Sequence, residues 1–313
     1  MKKKLLALAL SAVMMMGLQT ATFASSEYTD VSEITIKKSH VLDGEGSSPE
    51  ETFKLTQVSS SVKSGDAATA PALGAISDVA YNAGAATATG AAGAFTVALP
   101  TYTQPGVYEY ILKETEGDTA GVTYHTGEIK LVVTALEQDG IVRVAAVHTE
   151  DEGEQKTDEF TNTYTANKLN VKKTVAGNMG DKNKEFQFTV TLTGPADKTW
   201  NNAVTVTGGA SSLQQTGNVY TFTLSDGDTA TFENIPAGVS YTVTEETYEG
   251  YDTKSTGTTG TMDNAEKTAA FTNTAEGDVD TGINMDSLPY IMTLVVIACA
   301  GMVLLVSRKR RFE

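Results

Sequence analysis

Apolar and polar residues alternate in short runs along most of this chain. Examples are Ile34-Thr35-Ile36, Tyr108-Glu109-Tyr110-Ile111-Leu112, Glu128 to Thr134, Phe186-Gln187-Phe188-Thr189-Val190-Thr191-Leu192, Val219 to Leu224 and Tyr241-Thr242-Val243. A period of two sends successive side chains to opposite faces of a strand. Turn signals separate the runs: Pro105-Gly106, Asp139-Gly140, Gly208-Gly209 and Pro236-Ala237-Gly238. No 3.6-residue period is sustained outside the two ends. Short strands at this spacing predict an all-β fold, a sandwich in preference to a barrel. The stretch from Gly65 to Ala94, rich in Ala, Gly and Thr, reads as a loop or as weak strands at a sandwich end.

Three signals occur twice in the same order. An alternating strand ends in lysine: Ile34-Thr35-Ile36-Lys37-Lys38, then Leu169-Asn170-Val171-Lys172-Lys173. A turn leads into a tyrosine strand that ends in glutamate: Tyr110-Ile111-Leu112-Lys113-Glu114-Thr115, then Tyr241-Thr242-Val243-Thr244-Glu245. Each unit closes on Phe-Thr-Asn, at Phe160-Thr161-Asn162 and Phe271-Thr272-Asn273. The repeat predicts two domains, 25–166 and 167–276, with the boundary just after the first closing signal.

Parity gives these residues a direction. Lys38 shares its strand face with Ile34 and Ile36, and Lys173 with Leu169 and Val171. Glu114 follows Tyr110 and Leu112, and Glu245 follows Tyr241 and Val243. Each unit therefore aims a lysine and a glutamate at an apolar core, with an asparagine nearby. Parity says less about the asparagines. Burial of an isolated charge is costly and favours the neutral form. A neutral amine is a nucleophile, and a protonated glutamic acid can polarise a carboxamide. Lysine Nζ attack on asparagine Cγ would expel ammonia and leave one Lys–Asn isopeptide bond per domain, Lys38 to Asn162 and Lys173 to Asn273. Proximity supplies most of the rate, and Glu114 and Glu245 move the protons. Lysines and glutamates also end strands by reaching out to water. The duplication of order and parity favours the covalent arrangement.

The two ends give the chain its address. Met1-Lys2-Lys3-Lys4, an apolar run from Leu5 to Leu18 and Thr22-Phe23-Ala24 predict a signal peptide over 1–24. At the other end, 277–313 carries an apolar stretch at 288–306, long enough to span a bilayer, and the basic cluster Arg308-Lys309-Arg310-Arg311. Everything before Gly277 is then exported. The formal charge is −16, and the ends hold seven basic and two acidic residues, so the exported part carries about −21. That excludes nucleic acid and anionic membrane as partners. The single cysteine, Cys299, lies in the apolar stretch, so no disulfide forms in the exported part. His40, His125 and His148 show no ligand spacing, so neither a metal nor another cofactor is expected.

At the paired motifs the chain resembles the sortase-assembled shaft pilins of Gram-positive bacteria, most closely their two-domain type. Tyr110-Ile111-Leu112-Lys113-Glu114-Thr115 matches the family's Y-x-L-x-E-T box. Tyr241-Thr242-Val243-Thr244-Glu245 is a looser copy, with Glu246 where threonine is usual. The resemblance implies two Ig-like sandwiches with intramolecular Lys–Asn bonds. It also implies a sorting signal at Asp278-Val279-Asp280-Thr281-Gly282, which departs from L-P-x-T-G at its first two positions. A membrane sortase would cut between Thr281 and Gly282 and pass the Thr281 carbonyl to an amine. That amine belongs to a neighbouring copy of the chain or to peptidoglycan. Minor pilins or a tip adhesin are further partners implied. The resemblance places the acceptor lysine near the end of the first domain, at Lys156, with Lys113, Lys130 and Lys168 as rivals. No W-x-x-x-V-Y-P-K motif is present.

The expected protein is a cell-wall-linked pilus subunit and not a turnover enzyme. A monomeric wall-anchored adhesin that binds a host ligand is the alternative. A surface hydrolase has no Ser/His/Asp constellation, nucleophile elbow or metal cluster to support it.

Overall fold

The structure is a computed structural model that describes residues 30–200, 204–277 and 292–298. The expected signal peptide, the sorting pentapeptide 278–282 and most of the 288–306 stretch lie outside the described residues. Residues 292–298 are helical, and among the described residues no helix is long and apolar enough to cross a membrane.

The period-two pattern becomes an all-β protein of two tandem Ig-like sandwiches. The first half contributes β1 (Glu33–Gly44), β2 (Glu51–Phe53), β3 (Leu55–Gly65), β4 (Val79–Tyr81), β5 (Ala91–Ala98), β6 (Gly106–Glu114), β7 (Val122–Thr123), β8 (Glu128–Gln138) and β9 (Ile141–Glu150). β10 (Glu159–Ala176) follows. The second half adds β11 (Phe186–Thr193), β12 (Thr205–Gly208), β13 (Ser211–Thr216), β14 (Val219–Leu224), β15 (Thr229–Pro236), β16 (Ser240–Glu245), β17 (Asp252–Thr256), β18 (Thr259–Thr261) and β19 (Lys267–Thr274).

One sandwich packs β5-β1-β10-β7 against the sheet β3-β6-β8-β9, and the other packs β12-β15-β10-β19-β17 against β13-β14-β11-β16-β18. The first core draws on residues from Ile34 to Ala166, the second on residues from Leu169 to Phe271. The Ala-rich stretch supplies β4, whose Val79 and Tyr81 are buried, and the start of β5. In β5 the alternation resumes, and Phe95 and Val97 enter the first core.

β10 belongs to both sandwiches. The first closing signal and the second opening signal are two halves of this one strand, with no turn between them. Its buried positions are even-numbered from Phe160 to Ala166 and chiefly odd-numbered from Leu169 to Val175. Alternate side chains face opposite sides of a strand, so β10 turns one side to each core. Opposite Asn167 and Leu169 the pairing with β15 slips, and Asn234 takes a positive φ of 64° there.

Candidate functional site: a buried lysine, glutamate and asparagine in each core

In each sandwich the lysine strand and the asparagine strand lie side by side and parallel. β1 pairs with β10 so that Lys38 sits opposite Phe160. β10 pairs with β19 so that Lys173 sits opposite Phe271. In both cases the asparagine comes two residues after that phenylalanine and points the same way. Asn162 and Asn273 are fully buried, as are Phe160 and, nearly so, Phe271. The glutamate arrives from the facing sheet, at the end of β6 for Glu114 and of β16 for Glu245.

The three side chains meet in both cores. In the first, Lys38 Nζ donates to Glu114 Oε2 at 2.6 Å, and Asn162 Nδ2 donates to Glu114 Oε1. The carboxylate thus holds the lysine and the asparagine nitrogens, one on each oxygen. Asn162 Oδ1 faces away from it and accepts the main-chain N–H of His125 at 2.9 Å. In the second core, Lys173 Nζ and Asn273 Nδ2 both donate to Glu245 Oε1, each at 2.7 Å. Glu245 Oε2 and Asn273 Oδ1 are buried with no hydrogen-bond partner among the described residues.

The surroundings are dry. The side chains of Lys38 and Glu114 have no exposed surface. Those of Lys173 and Glu245 are 0% and 2% exposed. Burial lowers the Lys38 pKa to about 8, against the pull of Glu114. It lowers that of Lys173 as well, with Glu245 opposing. An aromatic ring walls each ammonium: Lys38 Nζ is 4.2 Å from the Phe53 ring centre, and Lys173 Nζ is 4.0 Å from that of Phe186. Such a contact favours a cation where water cannot. Ion pairs this deep contribute little net stability, because desolvation offsets the attraction. Their geometry suits a reaction better than a static staple.

Sequence reasoning missed three parts of the site. Phe53 and Phe186 follow their lysine strands at similar distances, and alignment of the two repeat units would have shown them. His40 is fully buried beside Phe53 and Tyr81, with both ring nitrogens unpartnered among the described residues. Burial, and then Lys38, push its pKa down to about 4, so the ring is neutral. The His125 amide has no side-chain signature and is invisible in a sequence.

The remaining candidate residues lie apart. Lys156 is exposed on a hairpin-like turn after β9. There Asp151 Oδ1 accepts the amides of Gly153 and Gln155, and the main chains of Glu150 and Lys156 pair in an isolated antiparallel β-bridge. Lys168 is held by Glu45 at 2.9 Å and Glu266 at 3.7 Å, and Lys130 lies 3.8 Å from Glu150. Lys113 is exposed. Among the described residues no group of His, Cys, Asp and Glu could hold a metal.

The first of these sandwiches, with its buried lysine, glutamate and asparagine, is of an isopeptide-domain class. Residues 34–165 match the family described as a Spy0128-like isopeptide containing domain, and residues 167–275 match a domain of unknown function. The chain is 30% identical over 236 residues to a protein named "Pilin" from Streptococcus pyogenes serotype M1, covering 67% of this chain and 69% of that one. It is also 32% identical over 126 residues to a pilus tip adhesin of Streptococcus pyogenes, covering 38% of this chain and 18% of the adhesin. The fold is similar to that of the major pilin T3.2 from Streptococcus pyogenes, with a TM-score of 0.52 at 23% identity, covering 79% of this chain and 99% of that one. A second major pilin structure from that organism gives a TM-score of 0.51 at 22% identity, covering 80% and 100%. The chain belongs to this family of pilins, the structural subunits of cell-surface polymers.

Proposed function

We propose that the chain is the shaft subunit of a covalently polymerised, wall-linked pilus, closed internally by Lys38–Asn162 and Lys173–Asn273 isopeptide bonds. The observation that carries this reading is the same buried contact at the same parallel register in both cores. Chance would rarely place a lysine, a glutamate and an asparagine in two dry cores, and twice with matching strand pairing.

The chemistry follows from the contacts. Glu114 takes one proton from the Lys38 ammonium. The free amine attacks Asn162 Cγ, and the C=O electron pair moves onto Oδ1. Glu114 delivers its proton to Nδ2, and the C–N bond breaks as C=O re-forms. The ammonia released takes the second Nζ proton and departs as ammonium, and the glutamate is restored. Glu245 does the same for Lys173 and Asn273. The first domain is 25–166 and the second 167–276. The intermolecular step belongs to a membrane sortase, which joins Thr281 to Lys156 of the next copy or to peptidoglycan. The test of the internal bonds is the intact mass of the exported region, expected to be short by two ammonias. A full mass would overturn the reading.

The likeness to a tip adhesin supports a second reading, a monomeric wall-anchored adhesin. Denaturing gels of wall extracts separate the two: a ladder for the polymer, one band for the monomer.

A further inference from the structure

The two sites are built from the same three side chains but are not equally complete. The first has a hydrogen-bond donor on the carbonyl oxygen that becomes negative during attack, the His125 N–H at 2.9 Å. The second has none, and Asn273 Oδ1 is buried without a partner among the described residues. The carboxylates differ in the same sense. Glu114 uses a separate oxygen for each nitrogen, whereas Glu245 uses one oxygen for both.

The cause lies in the strand that flanks each asparagine. β7 pairs with β10 only at Thr163–Thr123 and Tyr164–Val122 and stops short of Asn162. Beyond Thr123 the chain leaves the ladder, and the His125 amide is free to turn onto the asparagine side chain. In the second domain the flanking strand β17 runs past the asparagine, pairing Asp252 to Thr256 with Thr274 to Ala270. Its main chain is committed to the ladder through Asn273. The short flanking strand therefore creates the donor, and the longer one forecloses it.

We propose that the His125 main-chain N–H is the oxyanion donor of the first site, and that the Lys38–Asn162 bond forms faster than the Lys173–Asn273 bond for want of such a donor in the second. This rests on the reading above that both sites react. Its distance fits the range for a donor aimed at a developing oxyanion, and one such donor is worth about 10²–10³ in rate. The His125 ring packs edge-on against Phe160 with centres 5.0 Å apart and plays no part in the step.

The experiment follows both bonds during cell-free synthesis of the full chain. Samples quenched in acid denaturant are digested, and the two cross-linked peptides are quantified. The first bond is expected to form at least about tenfold faster. The first domain also emerges first, so variants remove that contribution. His125→Ala keeps the N–H and loses the ring, and is the reference against which loss of the N–H is read. His125→Pro lacks the N–H, and its first bond should slow at least about tenfold, with the second unchanged. If the proline variant fails to fold by circular dichroism, the α-hydroxy acid analogue at position 125, which puts an ester oxygen in place of N–H, gives the same comparison. Equal rates for the two bonds, or a donor-less variant as fast as His125→Ala, would overturn the proposal. Linear peptides from both domains of the wild type would instead overturn the reading on which it rests.

Discussion

Asn162 and Lys173 stand on one uninterrupted strand, Glu159–Ala176, and face opposite cores. The acceptor of the first proposed bond and the donor of the second are thus joined by main chain already in extended form. Strands in this form have little slack to give. With Lys156 as the intermolecular acceptor, the shortest covalent path to Thr281 runs from Lys156 along this strand to Lys173, crosses to Asn273 and continues to the C-terminus. The second bond lies on that path. The first lies beside it and ties β1 to the loaded strand.

Pulling between positions 156 and 281 should therefore distinguish the two bonds. Glu245→Ala, which removes the second bond, should let the second domain unravel and lengthen the molecule under force. Glu114→Ala should leave the length under force almost unchanged. Single-molecule force spectroscopy on the two variants makes the comparison, and equal extension would refute the load path.

Without force, the order of importance differs. Asn162→Ala and Asn273→Ala should each restore the mass of one ammonia. Each should also cost about 4–5 kcal/mol, the loop-closure entropy for a cross-link of this span. Thermal or denaturant unfolding of each variant checks the magnitude. Glu114→Ala should be worse than Asn162→Ala, because it also leaves Lys38 buried without its partner, a loss of about 3–5 kcal/mol by itself.

The uncross-linked first domain should gain stability as pH rises. In Asn162→Ala, Lys38 remains a free amine whose pKa is about 8 when folded, against the ordinary lysine value of 10.5 in the unfolded chain. Below pH 8 it is charged in both states, and the folded state bears the burial cost. Between 8 and 10.5 only the unfolded state holds the proton, so raising the pH favours folding. Above pH 10 the trend reverses, because burial raises Tyr81 and Tyr124 to about 12 and the unfolded tyrosines ionise first. Melting temperatures from pH 7 to 11 should peak near 10, with a gain on the order of 1 kcal/mol. A flat profile would count against a neutral Lys38.

Lys156→Ala should abolish the high-molecular-weight ladder in wall extracts and leave both internal bonds intact by mass. Its exposed turn makes the substitution structurally mild. Survival of the ladder would move the acceptor to Lys113, Lys130 or Lys168. Of these, Lys168 is engaged by two glutamates and Lys113 is the most open.

Gly177 ends the strand that carries Lys173, at a φ of 87°, and a Cβ there would meet Ala275 O at 2.0 Å. Both the backbone conformation and the contact forbid a side chain. Gly177→Ala should destabilise the second domain by about 1–3 kcal/mol while leaving the first at its wild-type melting temperature. Domain-resolved hydrogen exchange would show it.

The sequence alone determined what is local. A period of two along a strand is a property of neighbouring residues, so the all-β class and the inward direction of Lys38, Lys173, Glu114 and Glu245 could be read directly. The duplicated order made the lysine, glutamate and asparagine stand out from ordinary strand ends. The tertiary structure decided which strands lie side by side. The parallel register that brings Asn162 beside Lys38 joins residues far apart in the chain, and no local pattern encodes it. The continuity of Glu159–Ala176 was also hidden, because a closing signal followed by an opening signal reads the same with or without a turn between them. The His125 amide was least legible. Every residue but proline has such a donor, and only the early end of the Val122–Thr123 strand frees this one for the asparagine.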